Sequence, residues 1–198
     1  MTEPTLLKIR DTALGRGLRE LLARLADRLQ LQREVFVYLA GGMAVHLYLG
    51  KRVTTDVDAE FSARLLVPSD LVVEVVLEDG QRKPLHFDTN YNSTFALMHE
   101  DYLQDSVPTD LSEGHLKLCV LHPTDLAVSK IARLADVDRQ DIRDLVRAGL
   151  TTPDAIEKRA REALVAYVGG QRMAALNLED AVRTAREAAL PHGGRPAG

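Results

Sequence analysis

The stretch "GGMAVHLYLGKRVTTDVDAEF", residues 41–61, constrains this chain more than any other. It follows "VFVYLA" at 35–40, a short β-branched and aromatic run that reads as a buried strand stopped by Gly41-Gly42. "MAVHLYL" at 43–49 fits a short helix ended by Gly50, and "RVTTDVDAEFS" at 52–62 alternates as a second strand. Residues two apart on a strand face the same side, so Asp56 and Asp58 are expected to project together. Two carboxylates that close repel unless a cation lies between them, and Mg²⁺ favours such oxygen ligands together with substrate phosphates. Glycines at a strand end let the backbone turn tightly and approach a ligand, while the next helix offers unpaired N–H groups to an anion. A phosphate cradle beside a divalent-metal site is the apparatus of phosphoryl or nucleotidyl transfer. Alone, Asp-x-Asp is more often a pair of exposed positions on an alternating strand, and Gly-Gly a plain turn. The ordered combination, with Arg52-x-Thr54-Thr55 leading into the acids, outweighs that reading.

The remainder supplies a frame for this motif. Leu14, Leu18, Leu21, Leu22, Leu25 and Leu29 recur at helical spacing. "VPSDLVVEVVLEDG" at 67–80 is strand-like in composition, but Pro68-Ser69-Asp70 is a start signal and Gly80 a stop, which predicts a helix. "KPLHFDTNYN" at 83–92 and "HLKLCVLH" at 115–122 read as strands. From Pro123 onward the pattern is helical, over 124–148, about 153–168 and 172–189. The expected class is α+β: a small mixed sheet with flanking helices, then a helical C-terminal part. Residues 1–122 would form the core with its N-terminal helix, 123–190 the helical part that completes the site, and 191–198 a loose tail.

Several function classes are disfavoured. With 25 Lys+Arg against 29 Asp+Glu, net charge −4, no general cationic surface is available to hold nucleic acid, although a local basic groove remains open. Cys119 is the single cysteine, so no internal disulfide forms. No run reaches the roughly 18 apolar residues of a membrane span, and "MTEPTLLKIRDTALGRG" has no signal-type apolar core. A soluble cytoplasmic protein without a membrane partner is expected. His46 and His86 lie near the proposed site, but there is no HExxH, Gly-x-Ser-x-Gly or Walker-type sequence to support a zinc site, a serine hydrolase or a P-loop.

"GGMAVHLYLGKRVTTDVD" resembles the first two motifs of the DNA polymerase beta-like nucleotidyltransferase superfamily, and more closely the abortive-infection-type, toxin-like branch. Those proteins carry a later Lys and then an "RDxxDL"-like segment, which "HPTDLAVSKIARLADVDRQDIRDLV" at 122–146 matches with Lys130 and "DRQDIRDL". The resemblance implies that Gly41 and Gly42 hold nucleotide phosphates and that Asp56 and Asp58 bind Mg²⁺ or Mn²⁺. It further implies that Lys130 contacts phosphate, that Asp141 helps organise or activate the site, and that Asp144 is the segment's final acid. Lys130 and Arg133, three apart on the expected helix, would share a face that neutralises a triphosphate. The plainer reading makes Lys130 a solvated helix charge and joins Asp141 and Asp144 to Arg139 and Arg143 on a salt-bridged surface. Asp88, on the polar side of the strand after the acids, is the candidate third acid and metal ligand. The "TNYN" that follows could bond a base or form a polar turn. Gly42 stands where many relatives have Ser, which removes one hydroxyl.

The implied activity is metal-dependent transfer of NMP from an NTP to an acceptor. RNA such as a tRNA end, or protein, is the expected acceptor, with an antitoxin protein as partner. The alternatives are a catalytically silent nucleotide-binding or interaction protein of the same fold, and a small-molecule (antibiotic) nucleotidyltransferase.

Overall fold

The leucine stripe produces helix α1, Ala13–Leu29, in the computed structural model, which describes residues 6–190. Thr12 Oγ1 accepts the Gly15 N–H at 3.0 Å to cap its start, and Gln30, at φ 45°, ends it. Leu14, Leu18, Leu21, Leu22 and Leu25 are at most 2% exposed. Such burial stabilises by about 1.5–3 kcal/mol per leucine. Gly17 lets α1 approach β4 closely, for a Cβ there would lie 2.3 Å from Val75 Cγ1.

The chain divides into two units. The first holds residues up to 93 together with 101–122; the second holds 94–100 and the residues from 123 onward. In the first unit, β1 (Val35–Leu39) pairs in parallel with β7 (Leu116–Val120) and antiparallel with β3 (Ala59–Phe61). β6 (Val107–Glu113) adds to the far side of β7, so this sheet runs β3-β1-β7-β6. A second sheet runs β2-β5-β4, from Asp56–Val57, Arg82–Phe87 and Val72–Val76. Helix α2, Gly41–Leu49, joins β1 to the segment containing β2 and β3. The α+β class expected from the sequence is therefore present.

In this unit two local expectations are corrected and one strand is new. The segment 67–80 contains strand β4, not a helix: Val73 and Val75 are buried (1% and 5%), while Val72, Glu74 and Val76 face outward. The β-branched alternation prevails because β5 supplies a full antiparallel ladder for it, and Pro68-Ser69-Asp70 merely leads in. The single strand expected over 52–62 is two short strands in different sheets, divided at Asp58. Phe61 and Phe87, with ring centroids 5.8 Å apart, pack across this division. Strand β6 was not foreseen, because "VPTDLSE" lacks a strong apolar alternation.

The second unit contains α3 (Pro123–Ser129), α4 (Asp136–Arg147), α5 (Pro153–Ala166) and α6 (Gln171–Ala189). The continuous helix expected over 124–148 is broken between α3 and α4. Leu134 adopts φ 46°, and the Asp138 carboxylate accepts the Ala135 N–H at 2.9 Å, starting a new helix. Arg159 binds the buried Asp125 through Nε and Nη2 at 2.7 and 3.0 Å, joining α5 to α3. Arg139 reaches Asp180 at 2.8 Å, joining α4 to α6. Among the described residues no helix is long and apolar enough to cross a membrane. The tail expected at 191–198 lies outside the described residues.

Candidate functional site

Ala40 ends the first strand in an extended conformation and Gly41 turns the chain at φ 60°, where a side chain is disfavoured. Space enforces the same choice, since a Cβ on Gly41 would lie 1.7 Å from Asp58 Oδ2. The Asp58 backbone is anchored there too, its carbonyl accepting the Ala40 N–H at 2.8 Å. An acid thus abuts the first turn of α2, where the positive end of the helix dipole favours it. Gly42 is the second close approach. Its Cβ would lie 3.2 Å from Thr54 Cβ, so the "VTTDVD" segment folds over the start of α2.

Val57 is fully buried, whereas Asp56 is exposed and Asp58 half-buried. In the parallel β2–β5 ladder, Asp56 pairs with His86 and Val57 with Phe87, and the Asp88 N–H continues to the Val57 carbonyl at 3.1 Å. His86 Nε2 lies 3.4 Å from Asp56 Oδ1, and the Thr55 hydroxyl donates to the same oxygen at 3.4 Å. Asp88 Oδ1 accepts the Asn90 N–H at 2.8 Å, forming an Asx turn at the end of β5.

Among the described residues no three His, Cys, Asp or Glu side chains converge closely enough to enclose a metal ion. A Mg²⁺ or Mn²⁺ site of this class keeps most of its positions for phosphates and water and needs only one or two carboxylates. Asp58, set against a glycine turn that a Cβ would fill, and Asp56 two residues before it are acids of the type and number that requirement asks for.

Beyond the acid pair the sequence reading missed a polar cluster. Glu60 continues the period of two from Asp56 and Asp58, and its Oε2 accepts the Tyr102 hydroxyl, which lies 3.3 Å from Ser93 Oγ. Burial and the hydrogen bond to Glu60 push the Tyr102 phenol up to about 12. Burial, then the charges of Glu60 and Asp58, also raise Tyr91. The continued alternation of acids was one available signal and the "TNYN" stretch containing Tyr91 another; Tyr102 comes from more distant sequence and gave none.

In the second unit Lys130, Arg133, Asp138 and Asp141 come together. Lys130 lies in the turn after α3, not on a helix shared with Arg133. Its side chain is 7% exposed, with Nζ 2.8 Å from Asp141 Oδ2 and 3.8 Å from Asp138 Oδ1, so it is no solvated charge. Arg133 binds Asp138 through Nε and Nη2, both at 2.8 Å, while its side chain stays 72% exposed. Burial alone would raise the Asp138 carboxyl. The Arg133 hydrogen bonds, the Lys130 charge and the Ala135 N–H together hold it below the usual carboxylate range. Asp144 accepts from Gln140 at 2.9 Å and faces Arg147 at 3.9 Å, and Arg139 turns to Asp180. Asp144 thus keeps partners within α4, whereas Asp141 and Arg139 also turn to residues outside it.

Residues 17–185 match the model of a family described as a nucleotidyltransferase of unknown function (DUF6036). No curated protein and no solved structure matches the chain.

Proposed function

Since a match over residues 17–185 makes the chain a member of that nucleotidyltransferase family, we propose that it transfers NMP from an NTP to RNA or protein, with Asp56 and Asp58 as metal-binding acids. The observation that carries this reading is the close approach of the Asp58 carboxylate to Gly41, which puts an acid beside the start of α2. Bound at Asp56 and Asp58, Mg²⁺ or Mn²⁺ would offset phosphate charge and polarise the α-phosphate. Gly41 and Gly42 leave the backbone uncovered where it approaches the phosphates. The acceptor hydroxyl oxygen forms a bond to the α-phosphorus, the α–β phosphoanhydride bond breaks, pyrophosphate leaves, and the hydroxyl proton passes to solvent or a nearby carboxylate. Asp88 is a further candidate acid, in the turn just past the end of the adjacent strand β5. For Lys130 and Arg133 as phosphate contacts, and Asp141 as an organising acid, the family resemblance is the support. It likewise supports the toxin role and a protein antitoxin as partner.

The deciding experiment incubates the protein with each α-labelled NTP, Mg²⁺ or Mn²⁺, and either total RNA or a cell protein extract, followed by gel analysis. Label entering RNA or protein, and lost in Asp56→Asn/Asp58→Asn, is the expected result. Retention of full transfer by that variant would place the site elsewhere. NTP binding without pyrophosphate release would favour the silent nucleotide-binding reading.

A further inference from the structure

The acid pair has a neighbour that the transfer reading leaves idle. Strand β5 buries Leu85 and Phe87, so the residue between them must face the other way, and the ladder sets it opposite Asp56. That residue is His86, whose Nε2 lies 3.4 Å from Asp56 Oδ1 with the two side chains 42% and 56% exposed. Both groups are therefore accessible from solvent. Neighbouring donor atoms around a metal with bonds of about 2.1 Å stand roughly 3.0–3.5 Å apart, in octahedral or tetrahedral arrangement. An imidazole nitrogen and a carboxylate oxygen at this spacing form one edge of a coordination shell.

We propose that His86 Nε2 is a ligand, beside Asp56, of the divalent metal used by this site, and that the site therefore favours Mn²⁺ over Mg²⁺. Mg²⁺ strongly prefers oxygen donors, whereas imidazole suits the first-row transition ions. This edge supplies two protein donors, and Asp58, phosphates and water complete the shell, in keeping with the absence of a preformed three-residue cluster among the described residues. The inference rests on the metal-dependent transfer reading. A hydrogen bond from His86 to Asp56 with no role in coordination is its direct competitor.

Direct observation of the metal separates these. Mn²⁺ is titrated into the full chain, with and without ATP, and followed by electron paramagnetic resonance; pulsed measurements then read nitrogen hyperfine coupling in protein with ¹⁵N-labelled histidine. The wild type is expected to bind Mn²⁺ with a histidine ¹⁵N coupling that disappears in His86→Ala and in His86→Gln. The Mn²⁺ dissociation constant should rise by about tenfold or more in both variants, and that for Mg²⁺ by less than about threefold. Mn²⁺ binding that depends on Asp56 but shows no histidine coupling, or a coupling that survives in His86→Ala, would overturn the inference and leave the transfer reading intact. Mn²⁺ binding unaffected by Asp56→Asn/Asp58→Asn would overturn the transfer reading and this inference with it.

Discussion

A methyl group on Gly41 meets two obstacles at once, a backbone at φ 60° and an Asp58 oxygen 1.7 Å from where its carbon must go. Gly41→Ala is therefore expected to destabilise the fold by at least about 1 kcal/mol and to displace Asp58, so nucleotide binding should fall further than stability does. Urea unfolding beside a nucleotide titration checks this; unchanged NTP affinity in the folded variant would remove Asp58 from the binding site. Lys130 presents the opposite case. Its ammonium lies against two nearly buried carboxylates, so Lys130→Ala leaves Asp138 and Asp141 with less compensation and should cost about 3–5 kcal/mol. A loss below about 1 kcal/mol by urea unfolding would show that the acids find other partners. Any transfer assay on this variant must accordingly be read against its folded fraction. The turn at Gly41 was legible in the sequence because its geometry is local, whereas the division of the strand at Asp58 was not, because it depends on which sheet each half joins. The partners of Lys130 were not, because an unforeseen break in the helix changes which residues it faces.

At the scale of elements, α1 and β4 test packing against propensity. Replacing a mid-helix glycine with alanine ordinarily gains about 1 kcal/mol. At Gly17 the new Cβ would lie 2.3 Å from Val75 Cγ1 and 3.2 Å from Leu85 Cδ2, within the layer where α1 meets β4 and β5. Overpacking of this kind costs about 1–3 kcal/mol, so Gly17→Ala is expected to destabilise on balance. Gly17→Ala/Val75→Ala should recover part of the loss, a coupling that thermal melts of the four proteins of the cycle would reveal. Additive losses would mean that the helix shifts away without strain. The same contact explains why β4 was misread. Start and stop signals at Pro68-Ser69-Asp70 and Gly80 bracket a segment whose conformation is decided by its hairpin partner β5, which begins beyond the Gly80 stop, and by the distant α1. Elements with a strong period of their own, such as α1, α6 and β1, were legible; those defined by a partner, such as β4 and β6, were not.

For the whole molecule, acidification should act on the two units in separate ranges of pH. In the first unit His46 is 5% exposed, its Nδ1–H donating to the Arg52 carbonyl and its Nε2 accepting the Thr12 hydroxyl, both at 2.7 Å. Burial is the main reason its imidazole is held below the usual histidine value. The unfolded chain then takes up a proton near pH 6.5 while the folded one resists it. Stability from this group is full above about 6.5 and is lost as pH falls through the folded value. In the second unit Asp138 is held below the usual carboxylate range, so its contribution is full above about 3.9 and is lost at still lower pH. Asp180 and Glu157, bonded to Arg139 and Arg161 respectively, are lowered too and act in the same direction. Amide hydrogen exchange, corrected for intrinsic rates, should therefore show protection around α2 falling between pH 7 and 5 while α4 keeps its own, and α4 weakening only below about pH 4. His46→Gln should flatten the first change without moving the second. Loss of protection in α4 beginning at pH 6, in step with α2, would contradict the assignment, because no group whose lowered value is tied to α4 takes up its proton in that range.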